Sequence, residues 1–315
     1  MQYIYGTTNI KLLKETIVIL GNFDGIHIGH QELFQVAKNT AQAKGLKTVL
    51  FSFFPHPTWV LGTKPKSLLM SREEKKEKIA NLGIDIYVEY PFSIEFSQIN
   101  AEAFITEILL KKLNGKAVVI GDNYFFGKNK EGNVSYMYEL GKKYNFEVFV
   151  VKEIKEDNTT VSSSYIRDLI FNGEFNKAGE LLGYLYTVSG IVSKGKQLGR
   201  TLGFPTINII PEQIKVLPPN GVYITKVWIS GKTYNGISNV GYNPTVNGHI
   251  KKVETYIFDF CEDVYDQKAS VGFIKYIRPE IKFASLEDLE DQMKKDKALA
   301  LEYITNDLQR KIDMI

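Results

Sequence analysis

The decapeptide Gly21-Asn22-Phe23-Asp24-Gly25-Ile26-His27-Ile28-Gly29-His30 constrains this chain more than any other stretch. An apolar, β-branched run from Thr16 to Leu20 precedes it and has the pattern of a buried parallel strand. Behind it, Leu33, Phe34, Ala37 and Ala41 recur at helical spacing between Gln31 and Lys44, and Gly45 ends the run. A strand therefore feeds a glycine-rich turn that opens a helix. A helix start presents free backbone N–H groups and a partial positive charge, so this turn suits an anion such as phosphate. The imidazoles of His27 and His30 can add hydrogen bonds to charge developing on phosphorus. The expectation is a bound nucleoside triphosphate.

The same strand–loop–helix order recurs. Lys47 to Phe53 reads as a buried strand running into Phe54-Pro55-His56-Pro57, where two prolines predict an extended loop. Ser71 to Glu74 is a capping box for a helix that closes near Gly83. Ile84 to Tyr90 is the next strand, and Asn100 caps a helix through Leu113. Lys116 to Ile120 leads into Gly121-Asp122-Asn123-Tyr124-Phe125-Phe126-Gly127, followed by a helix (Val134 to Tyr144) and a strand (Phe146 to Val151). This alternation predicts a Rossmann-like α/β domain, an open, mostly parallel sheet with helices on both faces. Such sheets bind ligands at the carboxyl ends of their strands, where all three loops should lie.

After about Gly183 the pattern becomes short β-rich runs: Tyr184 to Ser193, Thr206 to Ile210, Val222 to Ile229, Thr233 to Val240, Val253 to Phe260 and Ala269 to Tyr276. Turn signals such as Pro219-Asn220-Gly221, Ser230-Gly231 and Asn247-Gly248 separate several of them. A small antiparallel β-barrel or sandwich is expected, then a long charged C-terminal helix with Leu286, Leu289, Met293, Leu299 and Ile304 partly on one face. The chain is thus read as two domains, residues 1–184 and 185–315. In the second, Gly195 and Gly203 allow close approach of backbone to phosphate, and Lys196 and Arg200 can supply charge. Thr206 and Asn208 stand two apart on a strand, so they share a face and can jointly reach a metal ion and phosphate oxygens, with Ile207 on the other face. Glu254 lies in an apolar, aromatic run, an unusual place for a carboxylate unless paired or functional. An alcohol attacking phosphorus must lose its proton, and Glu254 is the candidate base. Asp259, at odd spacing in the same run, is expected on the opposite face.

A net charge of +3 with no dense basic block argues against a nucleic-acid partner. Cys261 is the only cysteine, which excludes an intramolecular disulfide and suits a reducing cytoplasm. No signal peptide is expected from the first residues, and no apolar run reaches the ~18 residues that span a bilayer, so no membrane partner is expected. The pattern carries no signal of oligomeric state.

The Gly21–His30 stretch resembles the HxGH signature of the nucleotidyltransferase superfamily, and Ser162-Ser163-Ser164-Tyr165-Ile166-Arg167 resembles its second element. The loops at Phe54–Pro57 and Gly121–Gly127 resemble the flavin-side loops of prokaryotic FAD synthetase. Gly195 to Asn208 resembles the glycine-rich loop and PTAN motif of riboflavin kinase, with Ile207 where Ala is usual, and Val253 to Phe260 resembles its catalytic-glutamate strand. From about Thr16 to Asp296 the chain is similar to the bifunctional riboflavin kinase/FAD synthetase family.

The resemblance implies ATP contacts in the first domain from Gly21, Phe23, Asp24, Gly25, His27, His30, Asn123, Ser162, Ser163 and Arg167, with both histidines catalytic. It implies flavin contacts from Phe54, Pro55, His56, Pro57, Asn123 and Phe125. In the second domain it implies ATP at Gly195, Lys196, Gly203, Thr206 and Asn208, Mg²⁺ on Thr206 and Asn208, flavin at Arg200 and Arg278, and Glu254 as catalytic base. ATP would be co-substrate twice, first to phosphorylate riboflavin to FMN, then to adenylylate FMN to FAD with release of pyrophosphate. A lone adenylyl- or cytidylyltransferase would not need the Gly203–Asn208 strand.

Overall fold

A short edge strand without a marked sequence signal, β1 (Gln2–Tyr5), opens a sheet completed by β2 (Thr16–Leu20), β3 (Lys47–Phe54), β4 (Ile86–Pro91), β5 (Gly115–Gly121) and β6 (Glu147–Val151). The computed structural model describes residues 1–62, 67–195, 203–245 and 248–313. Every pairing in this sheet is parallel, in the order β1-β4-β3-β2-β5-β6. All five residues of β2 are buried, as a β-branched run with side chains packed on both faces requires. From β2 the chain builds to one side through β3 and β4, then to the other through β5 and β6. The strand order therefore switches between β2 and β5, where open α/β sheets form their ligand crevice.

Helix α1 (Ile28–Lys44) lies against β2, β3 and β5, burying Leu33, Phe34, Ala37 and Ala41, and ends at Gly45 with φ 69°. The turn after β3 differs from the extended loop that two prolines predict. Pro57 is the first residue of a one-turn helix, α2 (Pro57–Val60), capped by the side chain of His56. Proline fits there because the N–H it lacks would have no intrahelical partner. Ser71 and Glu74 form the expected capping box of α3 (Arg72–Asn81). Asn100 caps α4 (Ala101–Ala103), which continues with π-helical winding over Phe104–Lys112, and α5 (Val134–Tyr144) follows. Phe104, Ile108, Leu109, Met137 and Leu140 form one core cluster with Val18, Leu20, Phe51, Val118 and Ile120. The alternate β2 positions Ile17 and Ile19 are equally buried.

By contact density the chain divides into residues 1–165 and 166–315. A two-strand hairpin, β7 (Lys155–Glu156) with β8 (Thr159–Thr160), precedes α6 (Ser163–Phe171), and α7 (Phe175–Leu182) leads into the second unit. There β9 (Thr187–Ser193), β10 (Thr206–Ile209), β11 (Gly221–Ile229), β12 (Lys232–Thr245), β13 (Gly248–Ile257) and β14 (Lys268–Arg278) close in the order β10-β13-β12-β11-β14-β9. Closure comes from β9, which pairs with both β10 and β14, and decides barrel over sandwich. Its buried hydroxyls satisfy one another, Thr225 with Ser238 at 2.9 Å and Ser238 with Thr255 at 2.7 Å. β13 stops at Ile257, short of the expected Phe260: Asp259 has φ 53°, which strand pairing does not accommodate, so it belongs to the turn.

Helix α8 (Leu286–Asp313) follows the barrel. Leu286 and Leu299 are exposed, contrary to the expected apolar stripe. The helix packs through Ile304, as expected, together with Ala300 and Tyr303, and Asp296 one turn earlier is also buried. Among the described residues no helix is long and apolar enough to cross a membrane.

Candidate active sites

The bend between β2 and α1 is backbone-strained. Phe23, Gly25 and Ile26 have φ of 53°, 81° and 40°, and two of these residues carry side chains that disfavour such angles. Hydrogen bonds from Lys75, Gln31, Leu69, Met70 and Ser163 help to hold it. Lys75 Nζ donates to the Asn22 carbonyl at 2.6 Å, and Gln31 Nε2 to the Ile26 carbonyl at 2.9 Å. The N–H groups of Leu69 and Met70 donate to Asp24 Oδ1 at 2.8 and 3.3 Å, and Ser163 Oγ donates to the Asp24 carbonyl at 2.8 Å. Asp24 thus builds the loop from a buried position. Gly21 is required sterically, since a Cβ there would stand 2.8 Å from the Phe23 ring.

His27 is the N-cap of α1 but caps with no side-chain bond, and His30 sits in the first turn. Their rings stack with centroids 3.6 Å apart and 19° between planes, and the Phe23 ring meets His30 edge-on at 5.2 Å. Burial lowers the His27 pKa to about 4. His30 is pushed well below its ordinary value, by burial first and then by the neighbouring His27 and Lys75. Both are neutral at pH 7, and a neutral imidazole carries one donor and one acceptor nitrogen. The Nδ1 atom of each is buried without a hydrogen-bond partner among the described residues. Such groups are costly unless a ligand completes them.

Both rings line a cleft of about 870 Å³ at the strand-order switch, within the range of small-molecule sites. Gly21, Phe23, Pro57, Asn123, Phe125, Ser162 and Ser163 line it too, as do the aromatic rings of Phe53, Phe92, Phe96 and Phe104. Phe54, Pro55 and His56 are not among the lining residues. Neighbours alternate across a strand, so Phe53 takes the cleft side, while the Phe54 ring lies against Tyr5 and 4.9 Å from the Arg72 guanidinium. His56 Nδ1 accepts from the Thr58 N–H at 3.3 Å and meets the Thr58 hydroxyl at 2.8 Å. Asn123 Nδ2 donates to Glu153, and Ser162 Oγ accepts from the Tyr165 N–H at 3.2 Å at the start of α6. Arg167, on the same helix, falls in the second unit.

The barrel carries a different arrangement. Asn208 stands directly opposite Glu254, and Ile207 opposite Thr255. Ile207 is therefore buried on the face of the internal hydroxyls, leaving Thr206 and Asn208 on the Glu254 face. Thr206 Oγ1 donates to Glu254 Oε1 at 2.9 Å. Lys252 Nζ bridges Asn208 Oδ1 at 2.7 Å and Glu254 Oε2 at 2.9 Å. Lys252 was not anticipated, although its place two residues before Glu254 puts it on the same strand face. A Cβ on Gly195 would meet Asn208 Nδ2 at 2.4 Å, so glycine there makes room for that amide. Gly203 has φ 78°. Lys196 and Arg200, and Asn247 of the turn signal, lie outside the described residues. Arg278 is tied by Nε and Nη2 to the buried Asp296 carboxylate, the shortest contact being 2.7 Å.

The Asn208 carbonyl and Glu254 carboxylate meet at the Lys252 ammonium and the Thr206 hydroxyl joins them through Glu254, an all-oxygen set of the kind a hard divalent cation takes. Thr206 and Asn208 thus fit Mg²⁺.

Comparison with known proteins matches a separate family to each half of the chain. Residues 9–165 match the FAD synthetase family, and residues 182–304 match the riboflavin kinase family. A bifunctional riboflavin kinase/FMN adenylyltransferase of Listeria monocytogenes is 38% identical, over 89% of this chain and 90% of that protein. The protein of the same description from Bacillus subtilis is 35% identical over 97% and 99%. A crystal structure described as a macrolide-efflux protein from Streptococcus pneumoniae shares the fold, with TM-score 0.84 and 32% identity over 95% of this chain and 97% of that one. The chain belongs to the family of bifunctional riboflavin kinases/FMN adenylyltransferases.

Proposed function

We propose that the family's two reactions are divided between the two halves, residues 185–315 phosphorylating riboflavin and residues 1–184 adenylylating the resulting FMN. The observation that carries this reading is the difference between the two sites: a carboxylate in one, paired neutral imidazoles in the other. Riboflavin attacks as an alcohol, so its ribityl 5′-hydroxyl must lose a proton, and Glu254 accepts it. Thr206 and Asn208 orient the phosphates of ATP together with Mg²⁺, which when bound supplies neutralisation of polyphosphate charge. FMN attacks as a phosphate that is already an anion, so its adenylylation needs alignment and charge stabilisation rather than a base. His27 and His30 each donate one N–H to charge developing at the ATP α-phosphate, and the aromatic wall of Phe53, Phe92, Phe96 and Phe125 receives the isoalloxazine.

The partners are small molecules, namely riboflavin, FMN and ATP. The single exposed thiol of Cys261 suits a cytoplasmic setting. Incubation with riboflavin, ATP and Mg²⁺ should give FMN first and FAD after it, and supplied FMN should give FAD without a lag. Formation of FAD from riboflavin without intervening FMN would overturn the order.

A further inference from the structure

Lys75, which is not among the cleft-lining residues, reaches the Gly21–His30 loop at Asn22. Its ammonium donates to the Asn22 carbonyl at 2.6 Å and to Ser52 Oγ at 3.1 Å, and lies 5.6 Å from the centre of the Tyr87 ring. Asn22 immediately precedes the strained segment from Phe23 to Ile26, which ends at His27. The contact thus sits where the chain turns off β2 toward the two histidines.

Behind Lys75 runs a continuous polar chain across the sheet. Ser52 Oγ meets Tyr87 OH at 3.3 Å, and Tyr87 OH donates to Glu89 Oε1 at 2.6 Å. Glu89 Oε2 accepts from Tyr3 OH at 2.5 Å and from Arg72 Nε at 2.8 Å. Glu89 and Ser52 are buried, so the chain is fixed by residues that have no water to fall back on. Arg72 and Lys75 share one helix, yet they serve different partners. Arg72 compensates Glu89, while Lys75 points its charge at the loop.

We infer that Lys75 is a positioning residue for adenylyl transfer: it fixes the Asn22 carbonyl, and so the bend that sets His27 and His30, and brings a part-buried positive charge to bear on His30. The inference rests on the reading of the first cleft as the adenylylation site. The electrostatics of the pair accompany this geometry. The charge acts on His30, helping to hold that imidazole neutral. Burial also lowers the Lys75 pKa to about 8, against the opposing pull of Glu89 and Asp24. The charged and titratable groups around it are Asp24 in the loop, His30 on α1, Tyr87 and Glu89 on β4, and Arg72 and Lys78 along its own helix. Its charge is present below a pH of about 8 and lost above it.

The test uses the full-length protein and supplied FMN with ATP and Mg²⁺, varying pH from 6 to 9.5. K75M is expected to lower kcat for FAD formation by ~10-fold or more, with a smaller change in KM for FMN, because the loss falls on alignment at phosphorus. Wild type should lose adenylylation as pH rises through about 8, K75M should lack that limb, and K75R, which keeps its charge, should move it to higher pH. Riboflavin phosphorylation should be unchanged in both variants, which confines the effect to the adenylylating half. Wild-type kcat, KM and pH profile in K75M would overturn the inference. So would activity lost equally in K75M and K75R with the alkaline limb unmoved, since that is a purely structural effect. If wild type itself formed no FAD from FMN, the reading of the cleft would fall instead.

Discussion

The imidazoles of His27 and His30 lie face to face, 3.6 Å between centroids, each with an Nδ1 buried and without a partner among the described residues. Two positive charges at that distance in a buried site would repel strongly. The stack is therefore a property of the neutral pair, and it leaves polar atoms for a ligand to complete.

His30→Ala should lower FAD formation from supplied FMN by ~10²-fold or more, the scale of losing one donor aimed at developing charge. FMN formation from riboflavin should be retained. Separate assay of the two products checks this, and parallel loss of both would mean a folding defect or a shared site.

The same pair makes the first unit acid-sensitive. The His27 pKa is lowered to about 4 in the folded state, from the ordinary 6.5, and that of His30 is lowered too. Between pH 6.5 and about 4 the unfolded chain therefore binds more protons than the folded one, so stability falls as pH falls through that window. At about 1.4 kcal/mol per pKa unit, His27 accounts for roughly 3 kcal/mol across it. Urea unfolding at several pH values should show a steeper dependence in wild type than in the His27→Gln/His30→Gln double variant. Equal slopes would assign the acid sensitivity to other groups.

Glu254→Gln should abolish riboflavin phosphorylation while supplied FMN is still adenylylated. The amide keeps the shape of the carboxylate and can still accept from Thr206, so the lost property is proton acceptance. FMN formation near the wild-type rate would remove Glu254 from the role of base.

Asp296→Ala should destabilise the barrel unit by about 3 kcal/mol, because it leaves the part-buried Arg278 guanidinium without its carboxylate. Thermal melting followed by far-UV circular dichroism would show the lower transition, and Arg278→Met/Asp296→Met should recover part of the loss. No recovery in the double variant would mean that Asp296 acts through other contacts, such as its bond from Gln292.

Much of the local structure is determined by the sequence alone, for a physical reason that recurs. Where one residue's chemistry decides a local outcome, the pattern is readable, as with the Ser71–Glu74 capping box, the Gly45 helix stop and the helical spacing of Leu33, Phe34, Ala37 and Ala41. Alternation along β10 likewise put Thr206 and Asn208 on one side of Ile207. Tertiary structure decided what depends on distant partners. Only the pairing of β10 with β13 set Lys252 and Glu254 beside Asn208. Strand pleat gave the cleft Phe53 instead of Phe54, and α8 chose Ala300 over Leu299 because its docking face, not hydrophobicity, set the stripe. In sequence Lys75 is one charge among several in a surface-type helix. The fold alone carries it 53 residues back along the chain to the Asn22 carbonyl, just before the strained bend that leads to the two histidines.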